Sequence, residues 1–342
     1  HLILAFLLFS LATVAQKEES YNLKTETGNI LGKLILPKKN ETKTVALLIQ
    51  GSGPTDMNGN NTMMQNNSLK FLAEGLAENG IAVVRFDKRG VASSIGAIKK
   101  EEDLRFDDYI NDVSDWIELL SNDKRFERVV VLGHSEGSLL GATAILKTGH
   151  VSKYVSLAGI GEPAYVTIRK QLSAKPESIT EPAYNIMDEL EKGNTVKDVP
   201  PVLISVFRPS VQPYIISWFK YDPLKIFAQL EIPTLIVQGT HDVQVETVNA
   251  KLLADSNPLC TELLIEGMNH ILKDAPEDRA GNLATYSQKD LPLHKDLLKP
   301  IVDFILKYTL RLNLLAKSKR VCYLLVFCLF VYPSFSFKYV PV

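Results

Sequence analysis

From Thr44 onward the chain alternates short apolar runs with longer stretches whose apolar residues recur about every three to four positions. The runs are TVALLIQ (44–50), IAVVRFD (81–87), RVVVLG (128–133), KYVSLAG (153–159), PTLIVQG (233–239) and TELLIEG (261–267). Nearly continuous apolar strands are expected where helices cover both faces of a parallel sheet. Between them, SLKFLAEGLAENG (68–80) predicts an amphipathic helix closed by Gly80, and FDDYINDVSDWIELLSN (106–122) a second. EGSLLGATAILK, from Glu136, continues the helical pattern, and LHKDLLKPIVDFILKYTL (293–310) predicts a closing amphipathic helix. Strands alternating with helices imply βαβ units, a mostly parallel central sheet with helices on both faces, and hence the α/β class. Ahead of this series YNLKTETGNILGKLILP predicts a hairpin with Gly28 near its turn.

One stretch breaks the rhythm. Residues 160–230 lie between two strands and hold only helical patterns and prolines. Insertions of this length are usually functional, so they predict a helical cap set into a domain over residues 22–310. A second small domain without a catalytic part is the alternative. The two ends also stand apart. Residues 2–15, LILAFLLFSLATVA, have the length of a signal-peptide apolar core, with Thr13 and Ala15 as small residues ahead of Gln16. Polar KEESYN follows at once. A partial signal peptide over 1–15 and a secreted or periplasmic protein are expected, against a buried N-terminal strand or helix. At the other end, residues 311–342 form an atypical hydrophobic tail. Its run VCYLLVFCLFVYPSFSF (321–337) is short for a membrane span and is interrupted by Pro333. Lys317, Lys319 and Arg320 precede it. A weak membrane anchor, a docked tail and a segment foreign to the fold are the three readings, and the last is preferred.

Composition narrows the partners. The 342 residues are 46% hydrophobic, enough for one large core, and 38 basic against 39 acidic residues leave a net charge of −1. Such a balance provides no basic field for nucleic acid. Of the three cysteines, Cys322 and Cys328 fall in the tail, so the globular body holds Cys260 alone. No disulfide framework, zinc spacing or other metal site is expected, and no cofactor.

The chemistry gathers at the ends of the strands. Gly133-His134-Ser135-Glu136-Gly137 is a G-x-S-x-G pattern, short in itself but placed between a strand and a helix. There a sharp turn lifts a nucleophilic serine above the carboxyl end of the sheet, and the helix N-terminus favours developing negative charge. Ser135 needs a base, usually histidine. Of six histidines, His270 follows the last strand through the short loop GMN and should reach the same edge. His241 is the other candidate. Asp242, after PTLIVQG, would accept a hydrogen bond from His270 and fix its tautomer. An oxyanion hole requires the backbone N–H of the residue after the nucleophile, Glu136, and one from the loop Gly51-Ser52-Gly53-Pro54. Ser52 is the choice there, with Gly53 close behind. No G-K-[ST] follows, so the glycines are not a phosphate loop.

Taken together, GHSEG, GSGPTDMNGN, RFDKRGVASS and QGTHDVQV resemble the α/β-hydrolase superfamily, and within it the bacterial secreted esterases grouped with the serine aminopeptidase-like hydrolases. The resemblance covers roughly residues 22–308. It implies the α/β-hydrolase fold, in which the triad follows the chain order Ser135, Asp242, His270. It also implies a bracing role for Asp87, Arg89 and Gly90 of the D-x-R-G loop, and hydrolysis of a small-molecule carboxylic ester. A serine peptidase or aminopeptidase shares the mechanism; Glu162, Asp188 or Glu189 would then hold the substrate amine. A non-catalytic binding protein is the third reading. Trp218, among the aromatic residues of the cap, either binds substrate in an acyl pocket or packs the cap.

Overall fold

The computed structural model describes residues 17–38, 43–98 and 100–307. The signal peptide and the hydrophobic tail expected at 1–15 and 311–342 lie outside the described residues. Among those described, no helix is long and apolar enough to cross a membrane.

Chain order opens on β1 (Lys17–Ser20), β2 (Leu23–Thr25), β3 (Gly28–Ile30), β4 (Gly32–Leu36) and β5 (Thr44–Ile49). Then come α1 (Ser68–Glu78), β6 (Ala82–Phe86), α2 (Phe106–Asn122), β7 (Arg128–His134), α3 (Glu136–Thr148) and β8 (Lys153–Leu157). After β8 the chain is helical throughout: α4 (Ala164–Ser173), α5 (Glu177–Glu191), α6 (Ile204–Phe207), α7 (Gln212–Trp218) and α8 (Pro223–Phe227). It ends with β9 (Thr234–Gly239), α9 (Val248–Asp255), β10 (Cys260–Ile265), α10 (Arg279–Ala284) and α11 (Leu298–Leu306).

An eight-stranded sheet runs in the order β1-β4-β6-β5-β7-β8-β9-β10. Its body from β6 to β10 is parallel, while β4 pairs antiparallel with both β1 and β6. Alternate side chains serve two cores, as the period of two requires. Val45, Leu47 and Ile49 of β5 join the face covered by α2 and α3, whereas Ala46 and Leu48 join the face covered by α1 and α11. Each fully buried Val, Leu or Ile adds about 1.5–3 kcal/mol, so β5, buried along its whole length, is firmly held. That rigidity fixes the loop that follows it.

The expected hairpin forms as the two-stranded ribbon of β2 and β3, with Gly28 at its turn, while β4, the last part of that stretch, turns into the main sheet. Gly32 permits the turn: a Cβ there would lie 2.7 Å from the Tyr21 carbonyl oxygen and 3.0 Å from that of Arg85. The closing helix is also shorter at its start than its pattern. The His294 N–H bonds to Leu272 O at 2.9 Å, which holds 293–297 as loop and delays α11 to Leu298.

The helical stretch is not a detached lobe. Leu203, Phe207, Tyr214, Ile215 and Trp218 belong to the same apolar core as α2 and α3. Phe106 stacks on Trp218 with centroids 5.7 Å apart, and its N–H donates to Ser217 Oγ at 2.7 Å. The first residue of α2 thus docks the insert against the sheet.

Candidate active site

β7 carries the chain into a turn that only small residues can make. A Cβ on Gly133 would meet Gly137 O at 2.2 Å, and one on Gly137 would meet Ile49 O at 2.6 Å. Both glycines of the motif are therefore steric necessities. Ser135 between them has φ 54° and ψ −120°. Such a conformation costs about 1–3 kcal/mol for a residue with a side chain and persists only where the surroundings impose it. They do: the Ser135 N–H donates to Leu157 O of β8 at 2.8 Å, and Ser135 caps the N-terminus of α3. Ser135 is 9% exposed and lines a small cavity.

Asp242 and His270 come together as their strands predict. His270 Nδ1 and Asp242 Oδ2 are 2.7 Å apart, and both side chains are buried. The remaining capacity of the carboxylate is taken by Gln238 Nε2 on Oδ2 at 2.9 Å, and by the N–H groups of Gln244 and Val245 on Oδ1 at 2.8 and 2.9 Å. Burial pushes the Asp242 carboxyl up, but His270 and the two backbone donors outweigh it and hold it below the ordinary carboxylate value. Asp242 is thus an ionised acceptor. His270 gives it the Nδ1 proton, which leaves the Nε2 lone pair for another donor. His241 takes no part: its Nδ1 lies 2.7 Å from Ala275 O.

His134 links the elbow to the histidine loop. Its Nε2 is 2.7 Å from the carbonyl oxygen of His270, and the two rings lie 4.9 Å apart. Burial, and then the neighbouring His270, push His134 down to about 4. It is therefore neutral at pH 7 and donates from Nε2. This has a stability consequence with a definite sign. An unfolded histidine takes up its proton near about 6.5. Between that value and about 4 the unfolded chain binds more protons than the folded one, so stability falls as pH falls, by about 3 kcal/mol across the window. His134→Gln, which retains a donor for His270 O, should lose this dependence. Urea unfolding at pH 7 and pH 4.5 tests it; equal pH dependence in both proteins would assign the proton uptake elsewhere.

Lys273 anchors the same loop from behind. It is fully buried, and its Nζ donates to the carbonyl oxygens of Asn66, Gln288 and Leu291. Neither His134 nor Lys273 stands out in the sequence, because their partners lie far away along the chain.

The loop after β5 closes the site from the other side. Gly51 lies against the nucleophile: a Cβ there would be 3.1 Å from Ser135 Cβ. Ser52 is exposed, and Gly53 has φ +71°, in the left-handed region that glycine favours. The N–H of Glu136 is the first of α3, where helix geometry leaves amide donors without an intrahelical acceptor. Asp87 braces this loop, its Oδ1 accepting from Met57 N–H at 2.7 Å. Arg89 instead forks onto Asp112 of α2. The Glu136 side chain, which has no part in the oxyanion role of its N–H, is buried and paired with Lys88.

A small cavity separates Ser135 and Glu136 from Ile160, Glu162, Ala164 and Trp218. Its free volume is about 10 Å³, close to the space of one water molecule. A larger cavity of about 370 Å³ lies by Glu18, Lys33, Lys70, Glu74 and Arg85, with no serine, threonine, cysteine or histidine on its lining. Ser135 makes the smaller one the candidate active site. Of the acidic residues considered for an amine, Glu162 borders it but is paired with Lys170 at 2.6 Å. Asp188 pairs with Arg169 and Glu189 with Lys192. Among the described residues no cluster of His, Cys, Asp and Glu could hold a metal ion.

Comparison with known proteins agrees with this architecture. Residues 65–187 match the serine aminopeptidase (S33) family. The chain is 30% identical over 257 residues to the esterase EstD of Thermotoga maritima, a match over 70% of this chain that spans 58% of that relative's length. Among solved structures, Est1E of Butyrivibrio proteoclasticus bound to ferulic acid superposes with a TM-score of 0.57 at 14% identity, over 83% of this chain and 96% of that one. A Pyrococcus furiosus esterase, Pf2001, gives 0.51 at 16% identity, over 75% and 83%. The mostly parallel sheet and these superpositions give the chain the α/β-hydrolase fold, and in sequence it is similar to the serine aminopeptidase (S33) family and to the esterase EstD.

Proposed function

We propose that the chain is a serine hydrolase that cleaves carboxylic esters, with Ser135 as nucleophile, His270 as base and Asp242 as orienter. The observation that carries this reading is the buried Asp242–His270 pair, whose loop is tied to the elbow by the His134 Nε2–His270 O bond, together with a serine held at φ 54° in that elbow. Ser135 Oγ attacks the ester carbonyl carbon while His270 Nε2 takes its proton. The oxygen becomes an oxyanion facing the N–H groups of Glu136 and of Ser52 or Gly53. Collapse breaks the bond to the alcohol, which leaves with the proton from His270. Water then attacks the acyl-enzyme with His270 again as base, and the acid departs. The named esterases among the relatives support ester over amide substrates. Export from the cytoplasm is part of the same proposal and rests on the apolar run at 2–15.

Labelling with a fluorophosphonate probe tests the nucleophile, since Ser135 Oγ displaces fluoride and retains the phosphorus. Labelled Ser135 by peptide mapping is expected; no labelling of the folded protein overturns the reading. A panel of acyl esters and aminoacyl amides then decides between esterase and aminopeptidase. The peptidase reading has one point in its favour, the position of Glu162 on the cavity. It requires the substrate amine to displace Lys170, so amide turnover should be the weaker activity.

Trp218 both stacks on Phe106 and borders the cavity. With room for about one water, the cavity must widen for any acyl chain. Trp218→Ala should therefore raise kcat/KM for long acyl groups relative to acetyl, by about tenfold between acetate and octanoate esters. A uniform loss across the series with a lower Tm would give Trp218 a packing role alone.

A further inference from the structure

A buried lysine lies beside the nucleophile with no part in the proposed reaction. Lys88, the second residue of the loop after β6, is 2% exposed. Its Nζ is 2.7 Å from Gly51 O and 3.3 Å from Glu136 Oε1, and lies 4.9 Å from the centre of the Tyr109 ring. Glu136 is 1% exposed. The hydroxyl of buried Tyr214 faces this carboxylate.

Two points make the arrangement more than packing. A buried ion pair is a weak source of stability, because desolvation of both ions offsets their attraction. Its position is also specific. Gly51 O and the Ser52 N–H belong to one peptide plane and point in opposite directions, since the unit is planar and trans. A group that grips Gly51 O sets the direction of the Ser52 N–H. The other partner of Lys88 is the side chain of Glu136, whose own N–H begins α3. One ammonium thus ties together the two segments that supply the oxyanion donors.

We infer that Lys88 is a positioning residue for the oxyanion hole: it orients the 51–52 peptide through Gly51 O and neutralises the Glu136 carboxylate beside the reacting carbonyl. The inference rests on the serine-hydrolase reading above. The charge matters in both tasks. A charge-assisted bond to Gly51 O is stronger than one from a neutral donor. An uncompensated Glu136 anion in a dry site would oppose the developing oxyanion, which low dielectric amplifies. Lys88 acts on the reaction only through the Gly51 carbonyl and the Glu136 carboxylate.

The test uses Lys88→Met and the double variant Lys88→Met with Glu136→Gln, which removes the orphan charge and so guards against a failure to fold. Both are compared with the unaltered chain and with Ser135→Ala, using a p-nitrophenyl ester and phenylboronic acid. The boron of that probe becomes tetrahedral and anionic when Ser135 Oγ adds to it and the proton passes to His270, so its affinity reads the oxyanion hole. Lys88→Met should lower kcat by about 100-fold with KM within about threefold, and weaken boronate binding in step. The double variant should recover part of the loss, because the anion is gone, and remain about tenfold below the unaltered chain, because Gly51 O is no longer held. Unchanged kcat and boronate affinity with only a lower Tm would overturn the inference and leave Lys88 a structural role. A raised KM with unchanged kcat would overturn it too. If Ser135→Ala keeps its turnover, the serine-hydrolase reading is what has failed.

Discussion

Ser135→Ala should lower kcat for a simple ester by about 10⁴- to 10⁶-fold while leaving the fold in place. The size follows from the chemistry: the hydroxyl oxygen is the atom that forms the new bond, and no neighbouring side chain is placed to replace it. What remains is rate enhancement from the oxyanion donors and from binding. The fold should persist because the backbone, not the side chain, holds the turn. The Ser135 N–H bonds to Leu157 O, and the Ser138 N–H bonds to Ser135 O at 2.9 Å. Alanine has the same Cβ and suffers the same strain at φ 54°. Steady-state kinetics with circular dichroism on the purified variant separates the two effects. Near-normal turnover in a folded variant would remove Ser135 from the mechanism.

The parts of this site that were legible in the sequence share one property: local pattern determines them. Continuous apolar runs mark the parallel strands, and α2 begins and ends where its helical periodicity does, at Phe106 and Asn122. Side chains at the carboxyl ends of parallel strands share an edge, so the strand pattern alone groups Ser135, Asp242 and His270. The departures are long-range. β1 is the polar run Lys17–Ser20, a strand only because it pairs with β4. Lys88 reads as an ordinary loop charge; its two partners lie 37 and 48 residues away along the chain. His134 reads as a filler position of the elbow, and its bond to His270 O spans 136 residues. No periodicity encodes contacts of that kind. They depend on which loops the finished sheet brings together.

Asp242→Asn should be nearly as damaging as loss of the base, with kcat down about 10³- to 10⁴-fold and KM little changed. Four donors converge on the two oxygens of Asp242: His270 and Gln238 on Oδ2, and the N–H groups of Gln244 and Val245 on Oδ1. An asparagine has one oxygen and one NH₂ to offer them. The backbone donors cannot turn away, so the oxygen must stay with them and the NH₂ must face His270. The ring then answers with a lone pair at Nδ1, and its proton moves to Nε2. That is the nitrogen that has to accept the proton of Ser135, and it can no longer do so. Substrate contacts are untouched, which is why the effect falls on kcat. Stability carries a second signature. A carboxyl held below its ordinary value stabilises the folded chain above the unfolded-state value of about 4, and that contribution is lost as pH falls through the folded value. The stability gap between the unaltered chain and Asp242→Asn should therefore narrow in acid and be widest near neutrality, as urea unfolding would measure. His241→Gln is the control, since that ring is engaged with Ala275 O. If it abolishes turnover while His270→Gln does not, the base is His241, and the tautomer argument for Asp242 falls with it.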